Sequence, residues 1–181
     1  MKTESTVKYV LRLALTLLAI TAVVAAALAG VNSITAPAIE KLTAEKTQQA
    51  IELVLPGGGE EVDFPETALV STVYASETGY AVEVTPGGFD NTITMMVGVD
   101  KADNVLGISI ISHTETAGLG AVAAAGTPAG EAFRNEFVGA SGSVSVTKDG
   151  GDVEAITGAT ITSRAVCVGV NAALEVVGKM G

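Results

Sequence analysis

The chain has 181 residues, with ten Lys and Arg against twenty Asp and Glu, one His, one Cys and no Trp. One Cys cannot form an intramolecular disulfide, and one His with one Cys cannot build a Cys/His zinc site or a Cys-ligated iron–sulfur cluster. A net charge of -10 argues against nucleic-acid binding, because phosphate groups are neutralised by Lys and Arg.

The N-terminal segment predicts a membrane anchor. Residues 1–12 form a basic tip, and residues 13–31 carry no charged side chain. A 19-residue helix spans roughly 28 Å, which is close to the hydrocarbon thickness of a bilayer. Because the basic tip precedes the apolar run, we expect a cytoplasmic N-terminus and an extracytoplasmic remainder. The alternative is a cleaved signal peptide, since residues 27–29 (Ala-Leu-Ala) resemble a cleavage site, but the run is longer than a usual signal core.

The remainder of the chain is strongly acidic. Residues 32–181 contain seven of the ten basic and nineteen of the twenty acidic residues, which is a net charge of -12. We divide this part into a linking helix and loop at 32–60 and an outer domain at 61–181. The linking helix is predicted over 38–55, and Pro56 with the glycines after it ends that helix.

Short runs rich in Val, Ile and Thr predict a sheet in the outer domain. The predicted strands are 68–75, 80–85, 92–99, 105–111 and 143–147, with a connection at 60–65 and a hairpin loop at 100–104. A short helix is expected over 130–138, with Phe133 and Phe137 on one face. A last helix, expected from Ser163, carries an apolar stripe of Val166, Val170, Ala173, Leu174 and Val177. This order predicts an α+β domain with a mostly antiparallel sheet flanked by helices.

A hydroxyl-rich turn precedes the last helix. Residues 157–163 read Thr-Gly-Ala-Thr-Ile-Thr-Ser. Small residues let a phosphate approach the backbone, and the amide groups and dipole of a helix start attract an anion. Two interpretations stay open on the residues alone: an oxyanion or phosphate site, or a plain helix cap at Thr162 or Ser163.

The lone His and Cys are predicted to be structural. His113 follows an apolar strand, and a Ser–His–Asp hydrolase would have to use it without a G-x-S-x-G elbow. Cys167 lies near the apolar side of the last helix and is expected to be a small buried side chain.

Residues 154–163 (EAITGATITS) resemble the flavinylation motif of the FMN-binding domain family, in which FMN is joined through its phosphate to a Thr hydroxyl. The match places Glu154 at the acidic position, where Asp is usual, and makes Thr162 the modified residue. Residues 113–120 resemble the family's H-x-E-T-P-G-L-G loop, with Ala117 in place of Pro. Gly88-Phe89 and the strand pair after it are also similar to the family, so the resemblance covers nearly the whole chain.

The resemblance implies a set of site residues around a covalent FMN on Thr162. The residues expected near the phosphate are Thr157, Gly158, Ala159, Thr160 and Ser163. Those expected to contact the flavin ring are Glu115, Thr116, Leu119 and Gly120. His113 is expected to support this loop, and no metal ligand or separate catalytic residue is implied.

The implied function is an electron relay in a membrane ferredoxin:NAD+ oxidoreductase that translocates Na+ or H+. The chain would be a redox subunit without substrate turnover of its own. Implied partners are other membrane subunits, including a second covalent-FMN subunit and a pair that holds an iron–sulfur centre, and a flavin transferase for maturation. The alternatives are a non-redox membrane scaffold and a sensor domain that binds FMN without a covalent bond.

Overall fold

The structure is a computed structural model that describes residues 3–180, with side chains from residue 6 onward. Residues 1 and 2 of the predicted cytoplasmic tip, and Gly181, lie outside the described residues. The chain divides into two compact units, one up to Ala44 and one from Glu45 onward. The helices are α1 (Thr3–Val54), α2 (Pro128–Asn135) and α3 (Thr160–Met180), with 3-10 turns at Gly120–Ala124 and Thr147–Asp149. The strands are β1 (Glu60–Val62), β2 (Val70–Ala75), β3 (Gly79–Val84), β4 (Thr94–Asp100) and β5 (Val105–Ser112).

The first unit is helical, and its large apolar side chains are exposed. Such side chains from Val7 to Ile34 are each more than half exposed. Apolar side chains all round a helix are stable only when apolar material covers them, as lipid does. Among the described residues two helices, α1 and α3, are long and apolar enough to cross a membrane, but most of the apolar window of α3 is buried inside the protein.

The predicted anchor at 13–31 and the predicted linking helix at 38–55 both fall on one continuous helix, α1, which ends at Val54. Pro37 lies inside α1 and not at the start of a second helix. Proline removes one backbone hydrogen bond, but Ala, Leu, Glu and Lys on its C-terminal side are strong helix formers. On the N-terminal side of Pro37, the hydroxyls of Ser33 and Thr35 donate hydrogen bonds to the backbone carbonyls of Ala29 and Val31.

The second unit is built on a five-stranded antiparallel sheet in the order β1-β2-β3-β4-β5, so the predicted fold class is confirmed. The predicted strands at 68–75, 80–85, 92–99 and 105–111 correspond to β2 through β5. Two details differ. The connection at 60–65 contributes the short edge strand β1, and 143–147 forms only a single parallel bridge between Val146 and Val153.

The two faces of the sheet bury different elements. One face packs against α3, whose predicted stripe is buried as expected. The other face, including Ala81, Met96 and Ile111, packs against the C-terminal end of α1 through Ala50, Ile51, Val54 and Leu55. Period-2 alternation explains the division, since Met95 and Val97 point to α3 while Met96 points to α1.

Two smaller sequence predictions are also resolved. Phe133 and Phe137 meet edge to face with ring centroids 5.3 Å apart, although α2 ends at Asn135 and Phe137 lies just beyond it. Cys167 is buried, and burial raises the pKa of its thiol to about 11. The two Phe side chains meet as their shared face predicted and are also buried, and the predicted burial of Cys167 is confirmed.

Candidate functional site

The site begins at the turn into α3. Gly158 has a φ of 78°, a left-handed conformation that glycine adopts without a steric penalty, and the helix starts two residues later at Thr160. Thr162 and Ser163 therefore lie in the first turn of α3 and not before it, so neither is the helix cap. Ser163 instead holds the turn, because its hydroxyl donates to the Ala159 carbonyl and accepts from the Ile156 amide, both at 3.0 Å.

A buried carboxylate contacts the Thr162 hydroxyl. Glu115 is 7% exposed and Thr162 is 2% exposed. The Thr162 Oγ1 donates to Glu115 Oε2 at 2.5 Å. The second oxygen, Oε1, accepts from the Phe89 amide at 2.8 Å. One carboxylate thus joins three separate segments: the turn before β4, the loop after β5 and the start of α3.

The loop that carries Glu115 is itself fixed locally. The Glu115 amide donates to Nδ1 of His113 at 3.2 Å, which agrees with the supporting role expected for this His. Gly120 passes so close to the pair that a Cβ there would collide with the Glu115 carboxylate and would lie 2.5 Å from Thr162 Oγ1. A Cβ at Gly88 would also collide with Glu115. The contact between Glu115 and Thr162 therefore depends on glycine at both positions.

A cavity of about 310 Å³ opens beside this pair. Most of the predicted site residues line it: Glu115, Thr116, Leu119, Gly120, Gly158, Ala159, Thr160 and Thr162. Thr157 and Ser163 do not line it, since Thr157 is exposed outside the lining and Ser163 is fully buried behind the turn. The structure therefore brings together two sequence motifs that lie about forty residues apart.

Sequence reasoning missed three lining residues: Phe89, Lys148 and Ile161. Phe89 follows the Gly88 turn that forms part of the resemblance, and Ile161 occupies the variable position of the motif. Both are at least half exposed, and Leu119 is 42% exposed, so three of the lining residues are large apolar side chains that remain open to solvent. Lys148 had no signal in the sequence beyond being one of few basic residues in an acidic domain.

Lys148 supplies positive charge to the cavity. Its Nζ donates to Thr160 Oγ1 at 3.1 Å. The neighbouring Asp149 forms a two-point ion pair with Arg164 on α3, with both N–O distances at 2.6 Å. The Arg164 hydrogen bonds lower the pKa of the Asp149 carboxyl, so it remains ionised at neutral pH. This pair ties the 3-10 turn carrying Lys148 to the first turns of α3.

A larger groove of about 620 Å³ lies elsewhere in the same unit, between the end of α1 and β5. Lys46, Gln49, Ser109 and His113 are among its lining residues. None of the ten predicted site residues lines it. The convergence of hydroxyls, a buried carboxylate and a Lys makes the smaller cavity the candidate site.

This fold and site define a small flavin-binding domain that follows an N-terminal apolar helix, and the FMN-binding domain family matches residues 88–175. The chain belongs to the family of G subunits of ion-translocating oxidoreductase complexes. It is 32% identical to the G subunit of the Na(+)-translocating ferredoxin:NAD(+) oxidoreductase complex of Acetobacterium woodii, over 93% of this chain and 92% of that protein.

Two further relatives extend the comparison. The G subunit of the ion-translocating oxidoreductase complex of Methanosarcina acetivorans is 32% identical over 94% of this chain and 95% of its own length. The G subunit of the proton-translocating ferredoxin:NAD(+) oxidoreductase complex of Clostridium ljungdahlii is 37% identical over 56% of this chain and 57% of its own. The family resemblance stated from the motifs is therefore confirmed.

Proposed function

We propose that this chain is the electron-relay G subunit of an Rnf-type ion-translocating ferredoxin:NAD+ oxidoreductase and carries FMN joined through its phosphate to Thr162. The observation that carries the attachment site is the Thr162 hydroxyl, which lines the cavity and contacts a buried carboxylate. Names of relatives include both sodium- and proton-translocating complexes, so the proposal covers either ion.

The residues of the cavity fit an FMN group. Lys148, Thr160 and the first amides of α3 offer positive charge and hydrogen-bond donors, which suit a phosphodiester. In the same lining Phe89, Leu119 and Ile161 offer exposed apolar surface, which suits the faces of a flavin ring. Because Gly120 has no Cβ, no side chain at that position crowds the Thr162 hydroxyl.

Bound FMN would supply the electron chemistry, and the protein would supply attachment, orientation and electrostatics. Lys148 and Thr160 would hold the phosphate, while the apolar side chains would exclude water from the ring. The Rnf-type partners expected for such a relay are a second covalent-FMN subunit and a membrane pair holding an iron–sulfur centre. A covalent bond would keep the flavin from being lost outside the membrane.

The proposed location is the cell membrane, with a single span, the N-terminus in the cytoplasm and the flavin domain outside. The basic tip and the exposed apolar part of α1 support this orientation. Reporter fusions at the C-terminus test it: activity of a reporter that works only outside the membrane is expected, and activity of a cytoplasmic reporter would reverse the orientation.

The test of attachment is flavin fluorescence on a denaturing gel after expression with a flavin transferase. The wild-type chain is expected to fluoresce and to gain the mass of FMN less water. Thr162→Ala should abolish the signal, Thr160→Ala should retain some of it, and Thr78→Ala, in an exposed turn, should retain all of it. A dark wild-type band would contradict the proposal and favour a scaffold. Flavin released by acid precipitation would favour non-covalent binding.

A further inference from the structure

The contact between Glu115 and Thr162 bears on how the flavin becomes attached. A threonine hydroxyl is a weak nucleophile until its proton is removed, and active sites solve this with an adjacent base. A candidate base must lie within hydrogen-bond reach of the proton-bearing atom, at most about 3.2 Å away. Glu115 Oε2 lies 2.5 Å from Thr162 Oγ1, so the carboxylate is already hydrogen-bonded to the proton that must leave.

The motif residues Thr160 and Ser163 also carry hydroxyls in α3, but the hydrogen-bond partners of these hydroxyls are not carboxylates. The Thr160 hydroxyl accepts from the Lys148 ammonium, which cannot take its proton. The Ser163 hydroxyl bonds to the Ala159 carbonyl and the Ile156 amide in a fully buried position. Within residues 6–180, Thr162 is thus the motif hydroxyl for which the structure shows a carboxylate contact.

The orientation of Glu115 is fixed from both ends. Its Oε1 is held by the Phe89 amide, so the carboxylate cannot rotate without losing a hydrogen bond in a buried place. His113 holds the Glu115 amide, and Lys148 is the oppositely charged side chain that lines the same cavity. Gly88 and Gly120 leave room for the carboxylate.

We propose that Glu115 is the general base for its own chain's flavin attachment, a catalytic residue that the target protein supplies to the transferase reaction. This inference rests on the proposed function, since it assumes that Thr162 accepts the flavin. The donor is a flavin dinucleotide brought by the transferase.

The step balances without an oxidant or a reductant. Thr162 Oγ1 attacks the phosphorus next to the flavin and forms one P–O bond. The phosphoanhydride bond to the nucleotide breaks, and a nucleoside monophosphate leaves. The Thr162 proton goes to Glu115 Oε2, which then faces the new phosphodiester as a neutral acid and a hydrogen-bond donor. Protonation therefore also removes the repulsion between two adjacent anions.

The experiment measures the initial rate of flavin incorporation into the full-length chain, with purified transferase and flavin adenine dinucleotide, across a range of pH. Glu115→Gln keeps the shape of the side chain and the acceptor for the Phe89 amide but cannot take a proton. Its rate is expected to fall about 100-fold or more, the usual size of a general-base contribution. Glu131→Gln, the same change on exposed α2, is the matched control and should label at the wild-type rate.

The pH profile of the labelling rate distinguishes a catalytic role of Glu115 from a purely structural one. The wild-type rate should show a limb that falls toward acidic pH, because a protonated base cannot accept the Thr162 proton, and Glu115→Gln should lack that limb while melting at a similar temperature. A Gln variant labelled at the wild-type rate with the same profile would overturn the proposal. If the Gln variant does not fold, Glu115→Asp provides the test. Its carboxylate is one methylene shorter, so labelling should slow about tenfold or more while the pH-dependent limb remains. An unchanged labelling rate in Glu115→Asp would refute the proposal.

The same experiment distinguishes the two proposals. If the wild-type chain is not labelled, both the proposed function and the inference about Glu115 are refuted. If the wild-type chain is labelled and Glu115→Gln is labelled at the same rate, only the inference about Glu115 is refuted.

Discussion

The proposed role of Lys148 in binding the phosphate depends on the groups that surround it in the folded chain. Lys148 is exposed, like most charged side chains of this acidic domain, but it also lines the cavity and contacts Thr160. The ion pair between Asp149 and Arg164 holds the turn that presents it. At the scale of single residues, we expect this cation beside a cluster of hydroxyls to strengthen the binding of a phosphate group.

Replacing Lys148 by Gln is expected to slow flavin incorporation roughly three- to tenfold, because one charge-assisted hydrogen bond at a partly exposed site is lost. The difference should shrink at high salt, since exposed charges are screened. The rate is measured by flavin fluorescence on denaturing gels. Lys179→Gln, the same change at a surface pair with Glu175, is the control. Equal effects of the two variants would contradict a local role for Lys148.

The Cys167 thiol is expected to resist thiol reagents in the folded protein at pH 8. It is 3% exposed, and burial raises its pKa to about 11, so little thiolate forms. A colorimetric thiol assay should show full reaction in denaturant and almost none without it. Rapid reaction of the folded protein would mean that this part of α3 opens readily.

At the scale of elements, the packing of the C-terminal end of α1 on the sheet could not be predicted from the sequence pattern of the helix or from that of the strands. Most strands could be placed correctly from the sequence because each has a local alternation. The same patterns could not show that Val54 would lie on Gly98 of β4, since that contact joins residues far apart in the chain. The missing side chain at Gly98 lets the helix approach the strand.

Gly98→Ala should therefore destabilise the second unit by about 1–3 kcal/mol, the usual cost of overpacking a core. An added Cβ would collide with the Val54 carbonyl and lie 2.9 Å from the Val54 side chain. Its register partner on β5, Gly107, has nothing within 4 Å of an added Cβ, so Gly107→Ala is the matched control. The free energy of unfolding in denaturant is the measurement, and equal values for the two variants would contradict this packing.

For the whole molecule, the charge distribution and the unit boundary matter most. Ten basic and twenty acidic residues average to a net charge of -10, but the basic tip and the acidic remainder are separate. The second compact unit begins at Glu45, so the last turns of α1 belong to the same unit as the candidate site. The sequence-based boundary at residue 61 stays a prediction, and truncation of the chain tests it.

Removal of residues 1–44 is expected to leave a domain that folds without detergent and melts close to the intact chain. Removal of residues 1–55 should be strongly destabilising, because it strips Ile51, Val54 and Leu55 from one face of the sheet. Loss of each such buried side chain costs about 1–5 kcal/mol. Thermal unfolding by circular dichroism compares the two. Equal melting temperatures would place the boundary at residue 61.

The sequence by itself determined the features that reside in local patterns: the apolar N-terminal helix, the acidic remainder of the chain, the antiparallel strands and the hydroxyl-rich motif around Thr162. The tertiary structure decided which groups meet there. Glu115 contacts Thr162 across 47 positions of chain, and Phe89 and Lys148 join the same cavity from other segments. Contacts of that range depend on how the sheet stacks against α3, and they leave no periodicity in a single sequence to reveal them.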